Sequence, residues 1–112
     1  MDNQNERLNG LTKALGDSSA WLKLALNYEE FSIQAVRCTC AAFEIIDRLD
    51  IVGDNGEVTI NGCVIPICSV PAVTALKLIM SNRAANKVTH DQIKTMLLKV
   101  GELSGELSLR KC

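Results

Sequence analysis

A chain of 112 residues, 47% hydrophobic and 22% charged, is long enough for one domain with its own core and too apolar to be disordered over most of its length. The net charge of −1 conceals a division: residues 1–68 carry ten acidic and five basic side chains, residues 69–112 three acidic and seven basic, so the halves stand at −5 and +4. That division reads as attraction between the halves, within one chain or across a dimer, or as a basic C-terminal surface for an acidic partner.

The opening residues MDNQNERLNG are polar where a secretory leader would be basic and then apolar, and no apolar run approaches the roughly 18 residues of a membrane span. A cytoplasmic protein that does not enter a membrane is the expectation. Five cysteines, at 38, 40, 63, 68 and 112, agree with it, because an odd count without a leader argues for reduced thiols.

Residues 1–4 are expected to fray. Asn5 to Leu15 reads as a short helix with Leu8, Leu11 and Leu15 on one face, closed by Gly16 as a left-handed cap. Asp17 or Ser18 would then cap the next helix through a side-chain oxygen. That next stretch, Ser18 to Asp50, is the predicted centre of the fold. One row of apolar or small residues runs through Trp21, Leu24, Tyr28, Phe31, Ala35, Cys38, Ala42, Ile45 and Leu49. A second, through Leu22, Leu26, Ile33, Val36, Cys40 and Phe43, lies beside it, so most of the circumference is apolar and enclosure on most sides is expected. Unbroken, the segment would measure about 50 Å, long for a globule of this size. Either it breaks near residues 27–32, or it runs straight and buries its excess apolar surface against a second copy.

Beyond Asp50 the pattern turns to β. GDNGE reads as a turn, and Asn61-Gly62 between VTI and CVI is a strong hairpin signal, since both turn positions need positive φ. A two-residue loop sets Ile60 opposite Cys63 and Val58 opposite Ile65 on one face, with Thr59 and Val64 on the other. The hairpin should span about 57–66 and end at Pro66. Ser69 is then expected to cap a third helix carrying Val73, Leu76, Ile79 and Met80. Thr89 and Gln92 form a capping box for the last helix, with Val88 and Ile93 placed as a hydrophobic staple. Its stripe continues through Met96, Leu97, Val100, Leu103 and Leu107; the tail LSLRKC is expected to be mobile. The predicted fold is therefore mainly α: one domain over residues 1–112, a helical bundle around a long central helix with one β-hairpin between two helical halves.

Groups arranged for catalysis are sparse. His90 is the one histidine and is expected to be solvated in a helical first turn, which leaves no His-based triad. Glu29 and Glu30 are adjacent and point about 100° apart on a helix, so they cannot face each other across a substrate. Glu44 and Arg48 read as a solvated i,i+4 ion pair. The cysteine spacings CxC and CxxxxC do not match zinc pairs, and Cys38 and Cys40 read as small buried hydrophobes, with Cys112 the exposed thiol. No enzyme activity, metal or cofactor is expected.

Three other classes remain. Residues 69–100 are helix, link and helix, with Val88, Ile93 and Met96 at apolar positions of a helix-turn-helix and Gln92 and Asn86 as candidate base readers. Asn82 and Asn86 stand where apolar residues belong, however, and no glycine occupies the turn. A small DNA-binding regulator is thus the alternative. A small-ligand pocket between hairpin and central helix is a second one. The preferred reading is a non-enzymatic interaction protein of the inhibitor, immunity, anti-defence or assembly-adaptor type, occluding a larger protein partner and forming a homo-oligomer, with a dimer favoured. Trp21, Leu24, Tyr28 and Phe31 are its candidate oligomer core, and Lys77, Arg83, Lys87, Lys94 and Lys99 its candidate partner-contact surface.

Overall fold

Leu8, Leu11, Leu15, Ser18, Leu22 and Ala25 recur at alternating intervals of three and four, and all six are buried. That spacing places one continuous stripe along a helix that packs against other helices. In the computed structural model, which describes residues 3–54, 57–65, 69–82 and 84–109, this helix is α1, Asn3–Ala25. It begins inside the stretch expected to fray and runs through Gly16 and Asp17 without interruption. Gly16 is therefore an exposed helical position rather than a cap. Ser18 is not a cap either, for its buried Oγ donates back to the Leu15 carbonyl at 2.9 Å, as a hydroxyl does inside a helix. The short helix and the first part of the expected central helix are one element.

The break expected at 27–32 is present. Leu26, Asn27 and Tyr28 donate to the carbonyls of Lys23, Leu24 and Ala25, tightening the end of α1, and Phe31 takes a left-handed φ of 66°. Ser32 then caps α2, Ile33–Asp47, its side chain accepting the Ala35 N–H at 3.2 Å. The buried face of α2 is Ala35, Cys38, Thr39, Ala42 and Ile46. Four of these five are small, which lets α2 lie close along α1, and the Thr39 hydroxyl is satisfied by the Ala35 carbonyl at 2.8 Å. Only one side of this helical pair is enclosed, in contrast to the expectation from its wide apolar arc. Cys40 is exposed, although its row was expected to be buried; Cys38 is buried as expected.

The Arg48 N–H donates to the Glu44 carbonyl and the Leu49 N–H to the Ile46 carbonyl, closing α2; no ion pair joins the side chains of Glu44 and Arg48. A three-stranded antiparallel sheet follows, in the order β1 (Ile51–Asp54), β2 (Glu57–Ile60) and β3 (Cys63–Val64). Asn61 and Gly62 have φ of 52° and 82°, and Ile60 pairs with Cys63 as the Asn-Gly turn demands. Ile60, Cys63 and Ile65 face the core. The extra strand β1 replaces part of the expected turn: Ile51 pairs with Ile60, and Gly53 and Asp54 pair with Val58 and Glu57. Asn61 fixes its register twice, donating its N–H to the Asp50 carbonyl and accepting the Asp50 N–H through Oδ1, both at 2.8 Å. Pro66, expected to end the hairpin, lies outside the described residues.

Helix α3, Val70–Asn82, turns Ala72, Val73 and Leu76 inward and packs on α4, His90–Leu109. The Ser69 hydroxyl is buried without a hydrogen-bond partner among the described residues, so it does not cap α3 as expected. A 3-10 turn at Ala85–Lys87 leads to α4, where the capping box is complete. The Gln92 N–H donates to Thr89 Oγ1 at 3.2 Å, and the Thr89 N–H donates to Gln92 Oε1 at 2.9 Å. Val88 and Ile93, both buried, make the staple. Helix α4 runs on through Leu107 to Leu109, part of the expected mobile tail; residues 110–112, including Cys112, lie outside the described set. Helix α1 packs against both α2 and α4, so it is the hub, and the whole measures 45 × 25 × 19 Å with α1 along the length.

Candidate functional site

Trp21, Leu24 and Tyr28 follow one another at intervals of three and four, the first two beside the buried stripe of α1 that ends at Leu22 and Ala25 and Tyr28 in the turn after it. They are 40%, 38% and 38% exposed. Phe31, in the turn, is 50% exposed, and Ile33, the first residue of α2, is 69% exposed. The four residues expected to form an oligomer core thus stand on the outside of a single chain, with a fifth, Ile33, missed by the sequence reading. Its signal was Ser32: a side chain at the first helical position after the cap projects from the end of the helix and not onto a neighbour.

The loop carrying these residues is held from two sides. The Ser32 N–H donates to the Glu29 carbonyl at 3.0 Å, and the Glu30 carboxylate accepts the backbone N–H of His90 at 2.6 Å, placing a negative charge on the positive end of α4. His90 is half-buried and its Nε2 is covered without a partner among the described residues, so it is less solvated than expected.

The basic set does not converge. Lys94 and Lys99 are five positions apart on α4, about 140° around the helix. They flank the buried stripe of Ile93, Met96 and Val100 from opposite sides. Lys99 sits 3.7 Å from Glu102, and Lys77 is on a different helix, in the groove described below. Lys87 is exposed in the 3-10 turn, and the side chain of Arg83 lies outside the described residues. Of the candidate base readers, Gln92 is committed to the cap and Asn86 is exposed.

At the other end of α2 there is a hollow between that helix and the sheet, where a pocket between the hairpin and the central helix was expected, with α3 as a third wall that was not expected. The last turns of α2, the start of β1 and the end of α3 enclose an open groove of about 640 Å³. Phe43, Leu49, Ile51 and Met80, all half-buried, form the floor with buried Ile46. Exposed Glu44, Asp47 and Asp50 rim it on one side, and Lys77 and Ser81 on the other. The sequence signal was Asp47: α2 carries no cation in its last turn, where the helix dipole favours one. A shallower hollow of about 350 Å³ between α1 and α4 is lined mainly by small residues, among them Gly16, Ser19, Ala20 and Gly101.

Among the described residues no three His, Cys, Asp or Glu side chains gather as a metal site, and no helix is long and apolar enough to cross a membrane. The chain matches no protein family model, no curated protein and no solved structure.

Proposed function

We propose that this chain is a non-enzymatic interaction protein that covers a surface of a larger protein partner and works as a homodimer joined through the Trp21–Ile33 face. The observation that supports it is the cluster of five large apolar side chains exposed within thirteen consecutive positions, three of them aromatic. Together they expose roughly 500 Å², so two copies around a two-fold axis would bury roughly 1,000 Å², the size at which specific interfaces begin. Aromatic side chains are the residues that anchor such contacts. A reducing, cytoplasmic setting is part of the same proposal, consistent with free Cys38, Cys40 and Cys63.

Light scattering tests it. The wild-type chain is expected to scatter as a dimer at micromolar concentration, and Trp21→Ser with Ile33→Ser as a folded monomer. A wild-type monomer over the whole accessible concentration range would end the dimer reading.

A further inference from the structure

We infer that the groove between α2, β1 and α3 receives a basic amphipathic helix of the protein partner. The inference deepens the reading of the chain as an interaction protein, but it stands on a surface separate from the Trp21–Ile33 face.

Three observations converge on that occupant. The groove is open and its floor side chains are half-buried, so it cannot enclose most of a small molecule as a ligand pocket does; an elongated apolar ridge fits it better. Its rim is acidic, with Glu44, Asp47 and Asp50 facing Lys77, the one cation among the described residues that line it. Finally, the last turns of both α2 and α3 border it, and neither carries a basic residue there. The free carbonyls of each helix end carry about half a negative charge, so the backbone adds to the carboxylates instead of offsetting them. Arg48, the exposed cap of α2, does not line the groove. Leucine-like side chains at three- and four-residue spacing would meet Phe43, Leu49 and Met80, while flanking lysines or arginines meet the rim.

The test uses the full chain and a synthetic helix of about 14 residues, four turns, built from Leu and Lys with Leu on one face. Its counterpart carries Glu at every Lys position. Amide shifts on titration with the Lys peptide should centre on residues 43–51 and 77–81. Asp47→Lys with Asp50→Lys should weaken binding about tenfold or more. Both side chains are exposed, and Asp50 is tied to Asn61 only through its backbone, so the double variant should melt no lower than wild type. Equal binding of the Glu peptide overturns the inference, as do survival of binding in the double variant and shifts centred on Trp21–Ile33. A fall in mass by scattering when Asp47 and Asp50 are reversed would assign the groove to a second copy and overturn it too. The dimer reading is judged separately, by the scattering of the wild-type chain.

Discussion

Across 60 positions of chain, the Glu30 carboxylate accepts the backbone N–H of His90 at 2.6 Å and so ties the α1–α2 loop to the start of α4. Thr89 satisfies one of the free N–H groups of that helix and Glu30 another, with its charge at the positive end of the dipole. The bond is exposed, which limits its worth. Glu30→Ala should cost about 1 kcal/mol, read in urea as a lower midpoint with an unchanged slope. Glu29→Ala, one position earlier and also exposed, should stay within about 0.5 kcal/mol of wild type. Equal effects of the two would mean that the loop is not pinned this way.

Gly16 and Ser18 distinguish a continuous α1 from two helices joined by a cap. If Gly16 closed a helix in the left-handed region, Gly16→Ala would cost about 1 kcal/mol. Within α1 its φ is not positive and an added Cβ meets nothing within 4 Å, so the substitution should instead stabilise by about 0.5–1 kcal/mol. Ser18→Ala follows the same logic. A lost cap would cost about 1 kcal/mol, whereas an interior serine bonded back to Leu15 should be replaced at no cost greater than about 0.5 kcal/mol. Leu15→Ala, three positions before it on the buried stripe, should cost about 2–5 kcal/mol. Thermal unfolding of the three variants decides.

The reciprocal bonds between Thr89 and Gln92 should be energetically coupled. Thr89→Ala removes the acceptor for the Gln92 N–H and should cost about 1 kcal/mol. Gln92→Ala frees the Thr89 N–H and should cost less, since that group is only half-buried. The double variant should lose less than the sum of the two, with an interaction energy of about 0.5 kcal/mol in a double-mutant cycle. Strict additivity would show that the two bonds form independently.

How far the sequence carried the fold differs by element, for physical reasons. The starts of α4 and of the Asn61-Gly62 turn were legible because a few local hydrogen bonds determine each, and the residues that make them are adjacent in the chain. Gly16 misled because helix propensity is weak beside packing: Leu11, Leu15 and Leu22 bury their side chains across it and hold it helical. Strand β1 was missed because Gly53 and the neighbouring turn residues hide an edge strand whose register is set by Asn61. Trp21 and Leu24 were expected on one enclosed row with Ala35 and Cys38, and they are exposed where those two are buried. The turn at 26–32 shifts the helical phase, so the row through Leu22 is buried before the break and the row through Ala35 and Cys38 after it. The groove required knowing that the ends of α2 and α3 meet, which periodicity along one segment does not reveal.

If the proposed dimer forms through the Trp21–Ile33 face, Phe31 links stability to self-association with opposite signs. A phenylalanine at φ 66° occupies a conformation that costs an L residue about 1–2 kcal/mol and that asparagine tolerates far better. The ring is half exposed, so within one chain it recovers only part of that cost by burial. Phe31→Asn should therefore raise the stability of the monomer by about 0.5–1 kcal/mol while weakening the dimer. Phe31→Ala keeps a Cβ in the strained region and loses the ring, so it should weaken the dimer without the gain. Melting curves of both variants in the monomeric range, set beside their scattering masses at higher concentration, separate the two effects. A Phe31→Asn protein that melts lower than Phe31→Ala and still dimerises as wild type would show that the ring is held for the chain's own packing and not for a second copy.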